Sequence, residues 1–154
     1  MGTHYRGTKA ETTALDAFIK LVRAAGSVSA RVDAHLASID LTVSQFGVLE
    51  ALYHLGPLYQ KDLATKILKS TGNITMVVDN LEKRGLVERL RDEEDRRHYF
   101  VRITDQGARK IRSFFPGHVK RIVQEMGRLS KAELDTLGRL CKKVGLRTHA
   151  PSAT

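Results

Sequence analysis

The chain has a single cysteine, Cys141, and lacks any apolar run close to the roughly 20 residues of a membrane-spanning helix. A lone cysteine cannot form an intramolecular disulfide, and no cluster of cysteine and histidine has the spacing of metal ligands. The six histidines are scattered, with no pair three or four residues apart. We therefore predict no metal and no other cofactor. The first residues lack a signal peptide's apolar segment, so we expect a cytoplasmic protein with no membrane partner.

Motifs of the common enzyme classes are also missing. The sequence has no GxSxG, no HExxH and no glycine-rich loop that could bind phosphate. The acidic run at residues 92–95 has the pattern of an exposed turn, where no burial would tune its carboxylates for catalysis. The sequence therefore predicts that the protein is not an enzyme.

Length and charge give the first positive indications. With 154 residues and 42% apolar content, the chain is long enough for one domain with a proper core. Its net charge of +9 is compatible with a nucleic-acid partner. The largest basic excess lies in residues 111–154, however, where a solvated helix face is the favoured explanation. Charge alone therefore does not locate a binding face.

The segment 70–85 has the pattern of an amphipathic helix. Ile74, Val78 and Leu81 recur at helical spacing, while polar side chains fall on the opposite side. Ser70 or Thr71 can cap its start, and the glycine at position 85 suits a left-handed terminating residue. We expect a helix of about four turns with one face packed and the other free for contact.

The neighbouring segments complete a recognisable motif. A shorter helical pattern at 60–67 precedes this helix closely, as in a helix-turn-helix. Segments 86–91 and 98–103 alternate apolar and charged residues around a charged tip, which predicts a β-hairpin. A helix-turn-helix followed by a hairpin is a winged helix.

The sequence between residues 41 and 107 resembles the MarR family of bacterial transcriptional regulators. The resemblance is carried by "GNITMVVDNLEKRGLVER" at 72–89, "DRR" at 95–97 and "ITDQG" at 103–107. It implies that segment 70–85 is the recognition helix and that the hairpin is the wing. The predicted fold is mainly α with a small β-hairpin. A winged helix-turn-helix, residues 41–104, is inserted between an N-terminal dimerisation region, residues 10–40, and a C-terminal one, residues 105–147. Residues 1–9 and 148–154 are expected to be disordered.

The flanking helices have their own signals. Apolar residues keep helical period from about residue 10 to 37, over a length that one small core cannot cover, so we expect a second copy of the chain to bury the remainder. Thr42 with Gln45 and Ser130 with Glu133 are capping boxes. Thr104 is the expected cap of a helix at 105–126, interrupted by a kink at the proline in position 116.

The resemblance also implies which residues contact DNA. Base edges in the major groove would be read by Asn73, Thr75 and Met76, while Lys69, Ser70 and Thr71 would meet phosphates. In the wing, Asp95 would orient Arg97 in the minor groove, and Arg96 would contact the DNA backbone. Without the resemblance, the same residues could be solvated positions on a helix and a hairpin tip.

The family resemblance implies a homodimeric repressor of a pseudo-palindromic operator in double-stranded DNA, released by a small aromatic or phenolic effector. The strings "KILKSTGNIT" and "FFPGHV" are similar to a branch that answers to quinones. Phe46, Leu49 and Tyr53 are the candidate effector contacts, although such spacing is more typical of a core. Cys141, on an apolar helical face, is expected to be a core residue and not a redox switch.

Two other functional classes remain open at this stage. The winged helix and the basic charge would also suit an architectural DNA-binding protein that has no effector. A winged helix that has lost DNA binding could instead serve as a protein-interaction module.

Overall fold

The computed structural model describes residues 4–67, 71–92 and 99–146. Helix α1 spans Lys9–Asp33, and a 3-10 helix, Ala34–Ile39, continues from it. The sequence predicted one helix over this whole stretch. Thr8 and Glu11 form a capping box that starts α1, within the segment expected to be disordered. Asp40 ends the 3-10 helix with a left-handed φ of 54°, so the chain turns sharply before the next helix.

The three helices of the winged helix-turn-helix region follow directly, and the start of the first and the ends of the first and third were predicted correctly. Thr42 and Gln45 form the predicted capping box, and Gly56 ends the first helix with a φ of 80°. The residue before the second helix, Tyr59, gives it no side-chain cap. The recognition helix is followed by Gly85 in the left-handed region, with a φ of 67°. These helices are α2, Val43–Leu55; α3, Gln60–Lys66; and α4, Thr71–Lys83.

The wing belongs to a three-stranded antiparallel sheet. Strands β2, Val87–Arg91, and β3, Tyr99–Ile103, form the predicted hairpin. A two-residue strand β1, Leu58–Tyr59, pairs with the other edge of β3, giving the order β1-β3-β2. Two residues are too few to show the alternation that predicts a strand, which is why β1 was missed.

The C-terminal helices extend from the sheet. Thr104 caps α5, Asp105–Met126, as expected, and its hydroxyl donates to the Gly85 carbonyl at 2.7 Å. Gly107, in the first turn of α5, lies so close to the Leu86 carbonyl that a Cβ there would clash with it. Helix α5 continues through Pro116, the position of the predicted kink. The last helix, α6, spans Lys131–Gly145 and begins with the predicted Ser130–Glu133 capping box.

The buried core lies mainly in the winged helix and the beginning of α5. By contrast, Val32 is the only buried residue of α1, and α6 has none. Cys141 is exposed on the single chain, so the prediction that it lies in the core is wrong for the monomer. No helix in the described part of the chain has the length and apolar character that crossing a membrane requires. The side chains with no measurable exposure are Val48, Leu49, Leu63, Ile74, Val78, Leu81, Val101 and Ile111.

Candidate nucleic-acid interface

Helix α4 has two sharply different faces. Ile74, Val78 and Leu81 are completely buried and anchor the helix in the core. Asn73 is exposed on the opposite side, and Met76 is 71% exposed there. The buried residues hold the helix rigidly, which leaves its other face available to enter a groove of DNA.

The predicted contact residues fall into two groups. Thr71 is the first residue of α4, and Thr75 is half-buried beside the exposed pair Asn73 and Met76. The remaining five lie outside the described residues, so their roles stay predictions. These are Lys69 and Ser70 before α4, and Asp95, Arg96 and Arg97 in the wing.

Thr75 is positioned by the preceding helix of the motif. The side-chain amide of Gln60, the first residue of α3, donates a 2.7 Å hydrogen bond from Nε2 to Thr75 Oγ1. The Gln60 Oε1 in turn accepts a longer bond, 3.4 Å, from the Arg89 guanidinium. A predicted base-reading residue is therefore held by a chain of contacts that runs from α4 through α3 to the wing.

Arg89 in β2 joins the wing to the recognition helix. Its Nη2 donates to Asp79 Oδ1 and its Nη1 to Glu82 Oε2, each at 2.5 Å. The Arg89 backbone N–H also donates to Glu82 Oε1, at 3.0 Å. The arginine side chain is only 20% exposed. Two carboxylates of α4 are therefore paired with a cation on the side that faces the sheet, which fixes the angle between helix and wing.

A second polar network fixes the C-terminal half of α4 to α2 as well. Gln45 donates from Nε2 to Asn80 Oδ1 at 2.7 Å. Arg84, just after α4, forms a 3.2 Å ion pair with Asp40 and a weaker 3.5 Å bond to Gln45 Oε1. Because Asp40 lies at the turn between the 3-10 helix and α2, this network also ties α4 to the segment leading out of α1.

The end of the hairpin next to its turn is braced against the start of α3. The rings of Tyr59 and Phe100 stack with their centroids 4.0 Å apart. The Tyr59 hydroxyl donates to Asp92 Oδ2 at 2.5 Å. On the hairpin itself, Arg102 pairs with Glu88 at 2.8 Å. These contacts hold the described part of the wing against the helix-turn-helix.

Comparison with known proteins identifies the family. The family model described as MarR family matches residues 41–99. The HTH-type transcriptional regulator MhqR of Bacillus subtilis (strain 168) is 36% identical over 132 residues, covering 86% of this chain and 91% of MhqR. The chain belongs to the MarR family. It is a DNA-binding transcriptional regulator, as the resemblance in its sequence implied.

Solved structures of two bacterial proteins match the fold over most of the chain. Sco3205 of Streptomyces coelicolor, a MarR family regulator in complex with DNA, has a TM-score of 0.82 and 25% identity, covering 96% of this chain and 95% of that one. BpsR of Bordetella bronchiseptica, whose DNA binding is regulated by 6-hydroxynicotinic acid, has a TM-score of 0.76 and 26% identity, covering 84% and 98%. The winged helix and the flanking helices of this MarR chain thus share one architecture with these proteins.

The three predicted effector contacts of this MarR chain lie on α2, where each packs in or against the core. Phe46 is 4% exposed and Leu49 is completely buried, so both belong to the core. Tyr53 is half-buried and packs against the same core. Spacing alone could not distinguish a core position from a pocket wall, because both require an apolar helix face.

A groove lies elsewhere on α2, between that helix and the end of α3. Its volume is about 440 Å³, which is within the usual range for a small-molecule site. The wall is largely apolar, with a hydroxyl, a carboxylate, an imidazole and an ammonium group among the lining side chains. The lining residues are Val43, Ser44, Gly47, Glu50, Ala51, His54, Leu55, Lys66 and Ile67.

The structure also brings together two histidines that are far apart in the sequence. His35 in the 3-10 helix and His118 in α5 stack with ring centroids 5.2 Å apart. Phe114 stacks on His35 at 4.6 Å, and Phe46 packs on His118 at 4.6 Å. Both nitrogens of His35 and Nδ1 of His118 are buried and find no hydrogen-bond partner in the described part of the chain.

This environment changes the acidity of His118. Burial lowers its pKa from the ordinary value, because the charged ring would lose its hydration, and the neighbouring His35 lowers it further. The carboxylates of Asp33 and Glu50 act in the opposite direction but are outweighed. His118 is therefore held neutral where the helical unit meets the winged helix.

Proposed function

We propose that this protein is a homodimeric repressor that binds a pseudo-palindromic operator and is released from it by a small aromatic effector. The observation that carries the proposal is the two-faced helix α4, whose inner side is fully buried while Asn73 and Met76 project outward. Its position is fixed from α2, α3 and the wing, so the exposed face is already ordered before DNA is met.

The second subunit is supported by apolar surface that one chain leaves uncovered. In α1, Phe18 is 61% exposed; in α5, Val123 is 63% exposed; in α6, Val144 is 72% exposed. Such a set of apolar side chains on three long helices is typical of a surface that a partner covers. A second copy of the chain would bury these faces in a two-fold interface, which also contains Cys141.

Two-fold symmetry determines what the dimer reads. It would present two copies of α4 to the same side, each in a major groove, with half-sites about one helical turn or roughly 34 Å apart. A bound repressor would then cover the operator and exclude the transcription machinery.

The groove on α2 is the proposed effector site. It has an apolar wall that suits an aromatic ring, and Lys66 and His54 could pair with an acidic substituent. Regulation of BpsR by 6-hydroxynicotinic acid, an aromatic acid, supports this choice of ligand class. The effector would act by binding more tightly to a dimer shape that no longer matches the operator.

The experiment that tests DNA reading is a salt titration with two duplexes. One duplex is selected from a random library by repeated binding to the protein, and the other has the same composition in scrambled order. A repressor should bind the selected duplex at least 10³-fold more tightly, and both affinities should fall steeply with salt. Equal affinities would indicate an architectural DNA-binding protein, and no binding to either duplex would overturn the proposal.

The effector is tested with the same complex. Hydroxybenzoates, hydroxynicotinates and hydroquinones are screened by thermal shift, and every compound that stabilises the protein is tested for release of DNA. Ser44→Phe should fill the groove and abolish both effects, while Ser38→Phe, exposed on the 3-10 helix and outside the groove, should retain them. Identical responses from the two variants would rule out the groove as the effector site.

A further inference from the structure

Met76 is a large apolar residue on the outward face of α4. Its side chain is 71% exposed, and it extends from the middle of α4, Thr71–Lys83. The neighbours on this face, Gly72 and Asn73, are also exposed. A large apolar side chain that points into water adds little to the stability of the fold, because it contributes almost no buried area.

The space around Met76 is open. Gly72 precedes it by four residues and therefore lies beside it, one turn towards the start of the helix. An added Cβ at Gly72 would meet no atom of the described residues within 4 Å. The absence of a side chain there lets the helix backbone approach a surface closely, while the flexible thioether can settle against whatever lies opposite.

The chemistry of DNA limits what a thioether can recognise. Base edges in the major groove offer hydrogen-bond donors and acceptors at every pair, but thymine alone of the four bases adds an apolar group, the C5-methyl. Methionine has no strong donor and only a weak acceptor, so contact with that methyl is the favourable one. On a helix that also carries Asn73 and Thr75, Met76 supplies the apolar part of the readout.

We propose that Met76 is a specificity-determining residue that packs against the C5-methyl of one thymine in each operator half-site. This rests on the proposed function, since it requires α4 to lie in the major groove. Burial of one methyl group against Met76 should strengthen binding about fourfold per half-site, and about 15-fold when both half-sites contribute.

The test removes the methyl group without changing base pairing. In the selected duplex, each thymine is exchanged for deoxyuridine, one symmetric pair of positions at a time. At one such pair, wild-type affinity should fall about 15-fold, whereas Met76→Ala should bind the two duplexes equally. At the same positions, 5-methylcytosine paired with guanine should bind wild type more tightly than cytosine does, because it restores the methyl group alone.

Asn73→Ala is the matched control on the same face of the helix. It should weaken binding to the thymine and deoxyuridine duplexes by the same factor, and so keep the full ratio between them. Met76→Ala should unfold at the same urea concentration as wild type, because the side chain is exposed. This separates a reading defect from a folding defect.

The outcomes are distinguishable. If the selected duplex binds specifically but no deoxyuridine position separates wild type from Met76→Ala, the assignment of Met76 is overturned and the proposed function stands. If Met76→Ala retains the full deoxyuridine effect, the methyl group is read by another residue and the assignment is again wrong. If the protein binds no DNA, the proposed function and the inference fail together.

Discussion

The side-chain amide of Gln45 connects two helices: its Nε2 donates to Asn80 Oδ1 at 2.7 Å, while its Oε1 accepts from the backbone N–H of Thr42 at 2.9 Å. The first bond anchors the recognition helix, and the second completes the cap of α2. One side chain therefore supports both the start of α2 and the placement of α4.

Gln45→Ala should accordingly cost more stability than Asn80→Ala. The first change removes these two hydrogen bonds, of about 1 kcal/mol each, together with the weaker 3.5 Å bond from Arg84, whereas the second removes only the bond between the helices. We expect losses of about 2 and about 1 kcal/mol in the free energy of unfolding, measured in urea. Equal losses would show that the cap and the interhelical bond do not both depend on Gln45.

Arg89→Ala should destabilise the winged helix strongly. The change leaves the carboxylates of Asp79 and Glu82 without their shared cation and removes three side-chain bonds to α4 and α3. We expect a loss of about 2 kcal/mol and weaker operator binding. Arg102→Ala is the control, because its pair with Glu88 is about half exposed and should contribute less than about 1 kcal/mol. Similar losses would contradict the special role of Arg89.

Stability should decrease in mildly acidic solution because of His118. Its pKa is lowered in the fold, so the unfolded chain takes up a proton more readily than the folded chain does. The contribution of the neutral ring is complete above the ordinary histidine pKa of about 6.5 and is lost as the pH falls towards the lowered folded value. Denaturation in urea at a series of pH values from 8 to 5 measures this.

His118→Phe should reduce that pH dependence, since phenylalanine can occupy the aromatic cluster without titrating. His4→Phe, at an exposed position, should leave it unchanged. The same pH slope in all three proteins would mean that the His35–His118 stack does not control acid stability.

The wing prediction concerns residues outside the described part of the chain. If Asp95 orients Arg97 in the minor groove, Arg97→Ala should cost about 1–3 kcal/mol of operator binding, and Asp95→Ala should also weaken binding although it removes a negative charge near DNA. The losses in a double-mutant cycle should be less than additive. Tighter binding by Asp95→Ala would show that the aspartate is an ordinary solvated residue of the turn and does not orient Arg97.

Arg96 is expected to behave differently in the same assay. As a phosphate contact, Arg96→Ala should weaken binding to operator and random DNA by similar factors and reduce the salt slope by about one.

The proposed dimer predicts a mass of about twice that of one chain at micromolar concentration, measured by sedimentation. Val144→Glu should weaken dimerisation at least tenfold, because it places a charge in an apolar interface. Arg139→Glu, on the opposite side of α6 by helical spacing, should not. A folded monomer in the wild type would remove the basis for a two-fold operator.

The helices and the hairpin were predictable because their signals are local. The capping residues Thr42 and Ser130 precede their helices directly, and Gly85 occupies the left-handed position that its place in the pattern indicated. The recognition helix could be placed from periodicity alone, and its orientation is confirmed by the complete burial of Ile74 and Leu81.

The features that the sequence did not reveal depend on distant residues. The stack of His35 on His118 joins one segment that precedes the winged helix in the sequence to another that follows it, so no spacing rule could detect it. The role of Arg89 had one weak signal, since Asp79 and Glu82 on a DNA-reading helix require a neutralising partner. The sequence offered several arginines for that purpose, and only the three-dimensional structure distinguishes among them.

The packing of α1 against α5 also affects how the protein is made. Helix α1 ends at Asp33, but its partner α5 ends only at Met126, about 90 residues later. At a synthesis rate of about 5–20 residues per second, roughly 5–20 seconds pass before that partner is available. During this interval the winged helix can form from its own contacts, while the apolar face of α1 stays in water and is open to aggregation. In the proposed dimer, a nascent subunit would therefore need a chaperone or a finished copy of the same chain to cover its first helix.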